Sequence, residues 1–295
     1  MKRILTKRNK RVCFFVLAIL ALSIAIEILI SNFVITAKFY TISKENVPFS
    51  FDGYRIVLIS DLHDREFGYN SQRLINVIHK QSPDIVIMAG DMISTGDKDW
   101  EVFLKLSESL AEKYKTYYVV GNHEQNLTGE QLTDLVAKIE NTGVIVLDNE
   151  ITVIEKNTEK INLYGLWFHL RYYRDLRSEY QKENYFGIES ITKILGTPDK
   201  EEFNVLITHN PVYFNTYSEW GSDLTLSGHM HGGMIRLPFV GGLFSPEKEL
   251  FPKFDSGVFY NDNSFLVVSR GLGNGNLGFR FLNCPEVTVI TLKRK

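Results

Sequence analysis

The chain has 295 residues, 44% hydrophobic and 23% charged, a balance that excludes a disordered protein and gives length for one large domain or two small ones. Its formal net charge of -2 conceals an asymmetry, because Lys2, Arg3, Lys7, Arg8, Lys10 and Arg11 crowd the start; without those six, 27 basic and 35 acidic residues leave about -8. A body that acidic disfavours nucleic acid as a bulk partner, and with only Cys13 and Cys284 there is neither a disulfide framework nor a thiolate metal site.

Residues 1–11 form a basic tail, and residues 12–30, VCFFVLAILALSIAIEILI, carry one charge, Glu27. That length matches the ~20 residues a helix needs to cross the hydrocarbon core, so the segment is expected to be a transmembrane anchor. The rival is a cleaved secretory signal. Against it, the apolar run exceeds the usual signal core, and Ile35 stands where cleavage near Ala37 would want a small residue. With six basic residues before the span and Lys38 alone soon after it, the positive-inside rule puts the tail in the cytoplasm and the body outside it, on the cytoplasmic membrane. Glu27 lies near the outer end, where interfacial water is within reach.

Residues 31–46 read as a linker with a short polar stretch, and residues 47–295 as one catalytic-sized domain without repeats or low-complexity tracts. Its first half alternates apolar runs with helical patterns: RIVLIS, then SQRLINVIHK, DIVIMAG, a polar amphipathic stretch, and TYYVV. Runs that are apolar throughout point to strands covered on both faces. The second half is richer in strands, with VIVLD, ITVIE, INLYGLWF, FNVLITH, SFLVVS and EVTVITL between turn signals such as Asp148-Asn149 and Asn261-Asp262-Asn263. The expected fold is α/β, a layered sandwich with the anchor helix in front. Residues 171–185, aromatic and charged, are expected to be a solvated surface connection.

Chemistry-bearing residues stand at the ends of these strands. Asp61 and His63 follow RIVLIS, Gly90-Asp91 follows DIVIMAG, Gly121-Asn122-His123-Glu124 follows TYYVV, His209 follows FNVLIT, and His229 and His231 follow LTLS. Residues two apart in extended backbone share a side, which lets Asp61 with His63, and His229 with His231, reach one point, and Gly90 before Asp91 removes a side chain where backbone must approach something closely. Open α/β sheets bind ligands at the carboxyl ends of their strands, and five of the seven histidines stand there. His79 reads as an ordinary helical histidine, and His169 and Arg270 are speculative substrate contacts. Without thiolates, any metal is held by imidazole and oxygen, a set that suits manganese, iron or zinc.

Asp61-Leu62-His63, Gly90-Asp91, Gly121-Asn122-His123-Glu124, His209 and Gly228-His229-Met230-His231 resemble, in order, the five blocks of the calcineurin-like metallophosphoesterase family. Ser227-Gly228-His229 and Ser269-Arg270-Gly271 are similar to a bacterial branch with an N-terminal membrane or export segment. The resemblance implies an α-β-β-α sandwich holding two divalent ions. Asp91 would bridge them, Asp61, His63 and His231 would complete one shell, and Asn122, His209 and His229 the other, with a metal-bound hydroxide as nucleophile. It implies further that His123 is no ligand but the catalytic side chain, contacting substrate together with Asn122. In the protein Ser/Thr phosphatase branch an aspartate three residues beyond the bridging one supports this histidine; here Ser94 stands there, which leaves that support open.

The expected activity is hydrolysis of a phosphodiester, phosphomonoester or pyrophosphate at the outer side of the cytoplasmic membrane, with the phosphate ester and the membrane as partners. Two alternatives stay open: a lipid-linked phosphodiesterase or pyrophosphatase, suggested by Tyr172, Tyr173 and Tyr180, and a non-catalytic tethered binding module on the same fold. The second would be expected to have lost His123 or several ligands, and none is missing.

Overall fold

The computed structural model describes residues 7–97, 99–173, 185–275 and 278–295. Lys2, Arg3 and most of the stretch 171–185, Tyr180 included, lie outside the described residues.

Helix α1 (Lys7–Phe33) comes first, 27 residues long and so about 40 Å at 1.5 Å per residue. Its apolar window has no residue buried against the rest of the chain. The sequence that follows forms two stacked sheets. Strands β1 (Thr36–Lys44), β2 (Arg55–Ile59), β3 (Ile85–Ala89), β4 (Lys115–Val119), β5 (Ile145–Val146) and β14 (Glu286–Arg294) make one, in the order β1-β14-β2-β3-β4-β5. Strands β6 (Ile151–Lys156), β7 (Glu159–Leu166), β8 (Phe203–Thr208), β9 (Leu224–Ser227), β12 (Gly257–Asn261) and β13 (Ser264–Val268) make the other, in the order β12-β13-β9-β8-β7-β6. Two-residue strands β10 (Arg236–Leu237) and β11 (Gly241–Gly242) close a small hairpin.

The parallel centre of each sheet sets the site. Strands β2 to β4 pair in parallel with Ile59 opposite Met88 and Ala89 opposite Val119, so their carboxyl ends finish side by side. Strands β8 and β9 do the same in the other sheet, with Ile207 opposite Leu226. Every residue of IVIMA and FNVLIT is buried, as runs that are apolar on both faces require.

Between the sheets pack Ile56, Leu58, Ile87, Val119, Leu163, Val205 and Leu226. Helices α2 (Gln72–His79), α3 (Glu101–Ala111) and α4 (Gly129–Asn141) cover the outer face of the first sheet, burying Leu74, Phe103 and Leu135 against Val57 and Met88. Helices α5 (Ile188–Leu195) and α6 (Phe214–Trp220) cover the second. The layering is the α-β-β-α sandwich expected.

One boundary differs. Thr36–Lys44, which falls within the expected linker 31–46, is edge strand β1, paired in parallel with β14 from Thr36 opposite Glu286 to Lys44 opposite Arg294. An edge strand buries little, so its sequence carries no run that periodicity detects. Its hold on the body is ionic as well: Lys44, 6% exposed, meets Asp223 at 2.5 Å and so ties the first sheet to the start of β9.

Candidate metal centre

Asp61, His63, Asp91, Asn122, His123, His209, His229 and His231 meet where the strands of both sheets end. Their ligand atoms form overlapping groups, each within 4.8 Å: Asp61 with His63 and His231, Asp91 with His209 and His229, and Asp91 with His63 and His123. Asp91 and His63 each belong to two of the groups. Asp91, Asn122, His123, His229 and His231 line a cavity of about 150 Å³, with Tyr173 and Glu247 on its wall.

The convergence is achieved differently from the extended spacing that the sequence suggests. Asp61, His63, Asp91, His229 and His231 all have left-handed backbone, with φ of 51°, 49°, 52°, 70° and 48°. The chain turns sharply at each strand end and aims the side chain inward, a conformation that costs of order 1–3 kcal/mol per residue and persists where surrounding structure enforces it. Two glycines make room. At Gly90, φ +82°, a Cβ would meet Gly121 Cα at 2.7 Å and His209 Nδ1 at 2.8 Å, and at Gly228 one would meet Asp61 Oδ2 at 2.6 Å. The close approach expected at Gly90 is therefore between the β3 and β4 turns.

Hydrogen bonds fix the donors. The Asp61 carboxylate accepts the His229 N–H at 3.0 and 3.1 Å and the Ser60 hydroxyl at 2.6 Å. Asp91 accepts the His123 N–H at 2.8 Å. His209 Nδ1 lies 2.6 Å from the Ala89 carbonyl, which can only accept, so Nδ1 carries a proton, and Nε2 faces Asp91 Oδ2 at 3.1 Å, a contact that needs a proton or a cation between the two atoms. His63 Nε2 and His231 Nε2 lie 3.1 Å apart. Facing lone pairs at such distances need a cation or a proton between them. Buried Asn122 Oδ1 and His209 Nε2 have no hydrogen-bond partner among the described residues. The donor set therefore fits cations.

Protonation preferences agree. Burial holds His63 below its ordinary value, and burial with the neighbouring His63 holds His231 well below. Burial would raise Asp91, but His209, then His123 and His63, hold its carboxyl well below the usual range. Burial likewise pulls His209 down, yet Asp91 and Asp61 lift it to about 10.

Several contributors escaped the sequence reading. Glu124, fully buried, turns away from the cavity and accepts the backbone N–H groups of Asp91 at 3.0 Å, Met92 at 2.7 Å, Ile93 at 3.2 Å and Gly121 at 2.8 Å. It clamps the β3 turn to the β4 turn, and burial together with the charge of Asp91 pushes its carboxyl up. Thr95, not Ser94, supports His123: its N–H donates to His123 Nδ1 at 3.0 Å, and its hydroxyl lies 3.0 Å from the same atom. Glu247 lies 3.3 Å from His229 Nε2 and accepts from Asn210 at 3.3 Å. Asn283 donates to the carbonyls of His231 at 2.7 Å and Met234 at 3.1 Å. Glu124 stands in the Gly121-Asn122-His123-Glu124 block, though the sequence assigns it no role; Thr95, Glu247 and Asn283 stand in no motif.

The two speculative contacts lie elsewhere. His169 is exposed and lines a neighbouring cavity of about 730 Å³ with Trp167 and Phe168, where its Nδ1 accepts the Arg171 N–H at 3.1 Å. Arg270 is 3.2 Å from Glu286 and lines a cavity beside the β10–β11 hairpin. His79 ends α2 against the Tyr114 hydroxyl at 3.0 Å, an ordinary packing role as expected.

Two stacked sheets that close on imidazoles, carboxylates and an amide at their strand ends define a metal-dependent hydrolase of phosphoric esters. The chain belongs to the calcineurin-like phosphoesterase family, whose model matches residues 54–233. It is 27% identical over 267 residues to the uncharacterized metallophosphoesterase YkuE of Bacillus subtilis, covering 86% of this chain and 84% of that one. It is also 27% identical over 246 residues to the phosphodiesterase YaeI of Escherichia coli, covering 81% and 82%. Among solved structures it is similar to the phosphopantetheinyl hydrolase PptH of Mycobacterium tuberculosis, at 15% identity and a TM-score of 0.46, over 74% of this chain and 89% of that one.

Proposed function

We propose that this chain hydrolyses a phosphodiester, phosphomonoester or pyrophosphate at a dinuclear centre, held to the outer face of the cytoplasmic membrane by α1. The observation that carries the reading is the meeting of eight side chains at the strand ends of both sheets, five of them lining one small cavity, with Asp91 linking the His63 and His123 group to the His209 and His229 group. Asp61, His63 and His231 would hold one ion, Asn122, His209 and His229 the other, and Asp91 both. Divalent ions there supply positive charge for the phosphoryl oxygens and lower the pKa of water, which manganese, iron or zinc can do.

The chain's own residues do the rest. Because an amide donates to His123 Nδ1, the neutral ring carries its proton on Nε2, the atom 3.9 Å from Asp91 Oδ2 at the cavity. That N–H is placed to donate to a phosphoryl or leaving-group oxygen, so His123 is read as a hydrogen-bond donor to the phosphoryl oxygens or, when its ring is protonated, as the general acid. Asn122, with an unpartnered Oδ1 and an amide that can also donate, would share substrate contact.

The six basic residues before α1 support an N-terminus in the cytoplasm and a body outside it. A lipid-linked substrate is the second reading. One observation favours it: α1 runs into the catalytic sheet within three residues, from Phe33 to Thr36, which leaves the site little freedom to leave the bilayer surface.

The test is hydrolysis of bis(p-nitrophenyl) phosphate and p-nitrophenyl phosphate by purified protein, with metal content measured alongside. Manganese is expected to give activity, and Asp91→Asn to abolish it while lowering bound metal. Full activity in that variant would overturn the bridging assignment.

A further inference from the structure

The chain carries an apolar surface that the phosphoesterase reading does not use. Phe239 is 109% exposed, and Val240, Leu237 and Leu282 are exposed as well. Leu237, Phe239, Val240 and Leu282 line one shallow cavity beside the β10–β11 hairpin. Phe239 and Leu282 both take left-handed backbone, φ 66° and 52°, which a loop free to relax would avoid.

What covers this surface follows from its attachments. The hairpin is bound to the loop before β14: Ile235 bridges Phe281, and the Arg236 N–H donates to the Phe281 carbonyl at 3.0 Å. That loop is bound to the end of α1. Asn32 donates to the Arg280 carbonyl at 3.0 Å and accepts the Arg280 N–H at 3.1 Å, the Asn283 N–H donates to the Ser31 hydroxyl at 3.2 Å, and Cys284 Sγ reaches the Ile30 carbonyl at 3.7 Å. At 1.5 Å per residue, Ile30 lies ~5 Å back from Phe33 along the helix. The headgroup layer is of just that thickness, since ~30 Å of hydrocarbon sits within ~40–45 Å of bilayer. The loop therefore grips the helix at the depth where a membrane-crossing helix emerges.

We propose that the β10–β11 hairpin and the loop 278–284 form a membrane-seating face that lies in the interfacial layer of the bilayer holding α1. The inference rests on the reading of α1 as an anchor. Its consequence for the site is direct, because Asn283, in the gripping loop, also holds the carbonyl of His231. The metal centre is fixed at headgroup level, where a phosphoester carried by a lipid presents itself.

The test uses full-length protein with Cys13→Ala and Cys284→Ala, carrying Phe239→Cys or Val240→Cys labelled with an NBD fluorophore. It is reconstituted into nanodiscs of phosphatidylcholine and phosphatidylglycerol. Ile145→Cys serves as control, because β5 is the far edge of the sheet from β1, ~24 Å away at ~4.8 Å per strand. A shallow doxyl-lipid quencher is expected to quench both hairpin labels at least twofold more than the control, and aqueous iodide to do the reverse. Equal quenching by iodide at all three positions overturns the seating face while leaving the anchor standing. Failure of the full chain to co-elute with nanodiscs overturns the anchor reading and the inference with it.

Discussion

Glu124→Ala tests whether the ligand turns are held by a buried clamp. The carboxylate accepts four backbone N–H groups, three from the turn after β3 and one from the turn after β4, with no exposure to water. Truncation strands all four donors. A buried donor left unpaired costs ~1–3 kcal/mol, so even the low end gives about 4 kcal/mol. At ~2–4 °C per kcal/mol the melting temperature should fall by about 8–16 °C. Glu124→Gln, which keeps one acceptor oxygen and the volume, should fall between. Because Asp91 and Asn122 ride on the clamped turns, metal affinity should drop by ~10–100-fold, as for other groups that orient ligands. Thermal unfolding of the detergent-solubilised chain, with metal titration by calorimetry, reads both. A melting temperature within about 2 °C of the parent would refute the reasoning.

The remaining predictions concern catalysis, metal and the tie between sheets. His123→Ala should keep its metal yet lose ~10²–10⁴-fold in kcat, whereas loss of metal would make it a ligand. Thr95→Ala keeps the backbone N–H on His123 Nδ1 and removes only the hydroxyl, worth about 0.5–1.5 kcal/mol, so kcat should fall by no more than ~10-fold. Chelation should abolish phosphodiester hydrolysis and lower the melting temperature, with both restored by a divalent ion, as a thermal scan with and without chelator would read. Lys44→Met leaves the charge of Asp223 unpaired at 12% exposure and should cost ~3–5 kcal/mol, measured by denaturant unfolding; an unchanged midpoint would mean that the pair is not holding β1.

The sequence by itself determined a great deal of this protein. Apolar runs ending in Asp61, Asp91, Asn122, His209 and His229 identified the strands, their burial and the edge at which the side chains meet, because a strand covered on both faces is mostly apolar and leaves charged and metal-binding groups to its ends. It also marked Gly90 as a place of close approach and separated His79 from the site. What it did not carry is anything that depends on a partner distant in the chain. The Thr36–Lys44 strand exists because β14, some 250 residues later, offers it a ladder, and an edge strand needs no apolar pattern. The left-handed turns at Asp61, His63, Asp91, His229 and His231 replace the extended spacing that the sequence suggested, since only the packed sheets can impose that backbone on residues with a Cβ. Thr95 on His123, Glu247 on His229 and Asn283 behind His231 are contacts across loops, made by common polar residues that no local pattern distinguishes from solvated ones. Periodicity records what each residue faces on average; which atom meets which is decided only when the two sheets close.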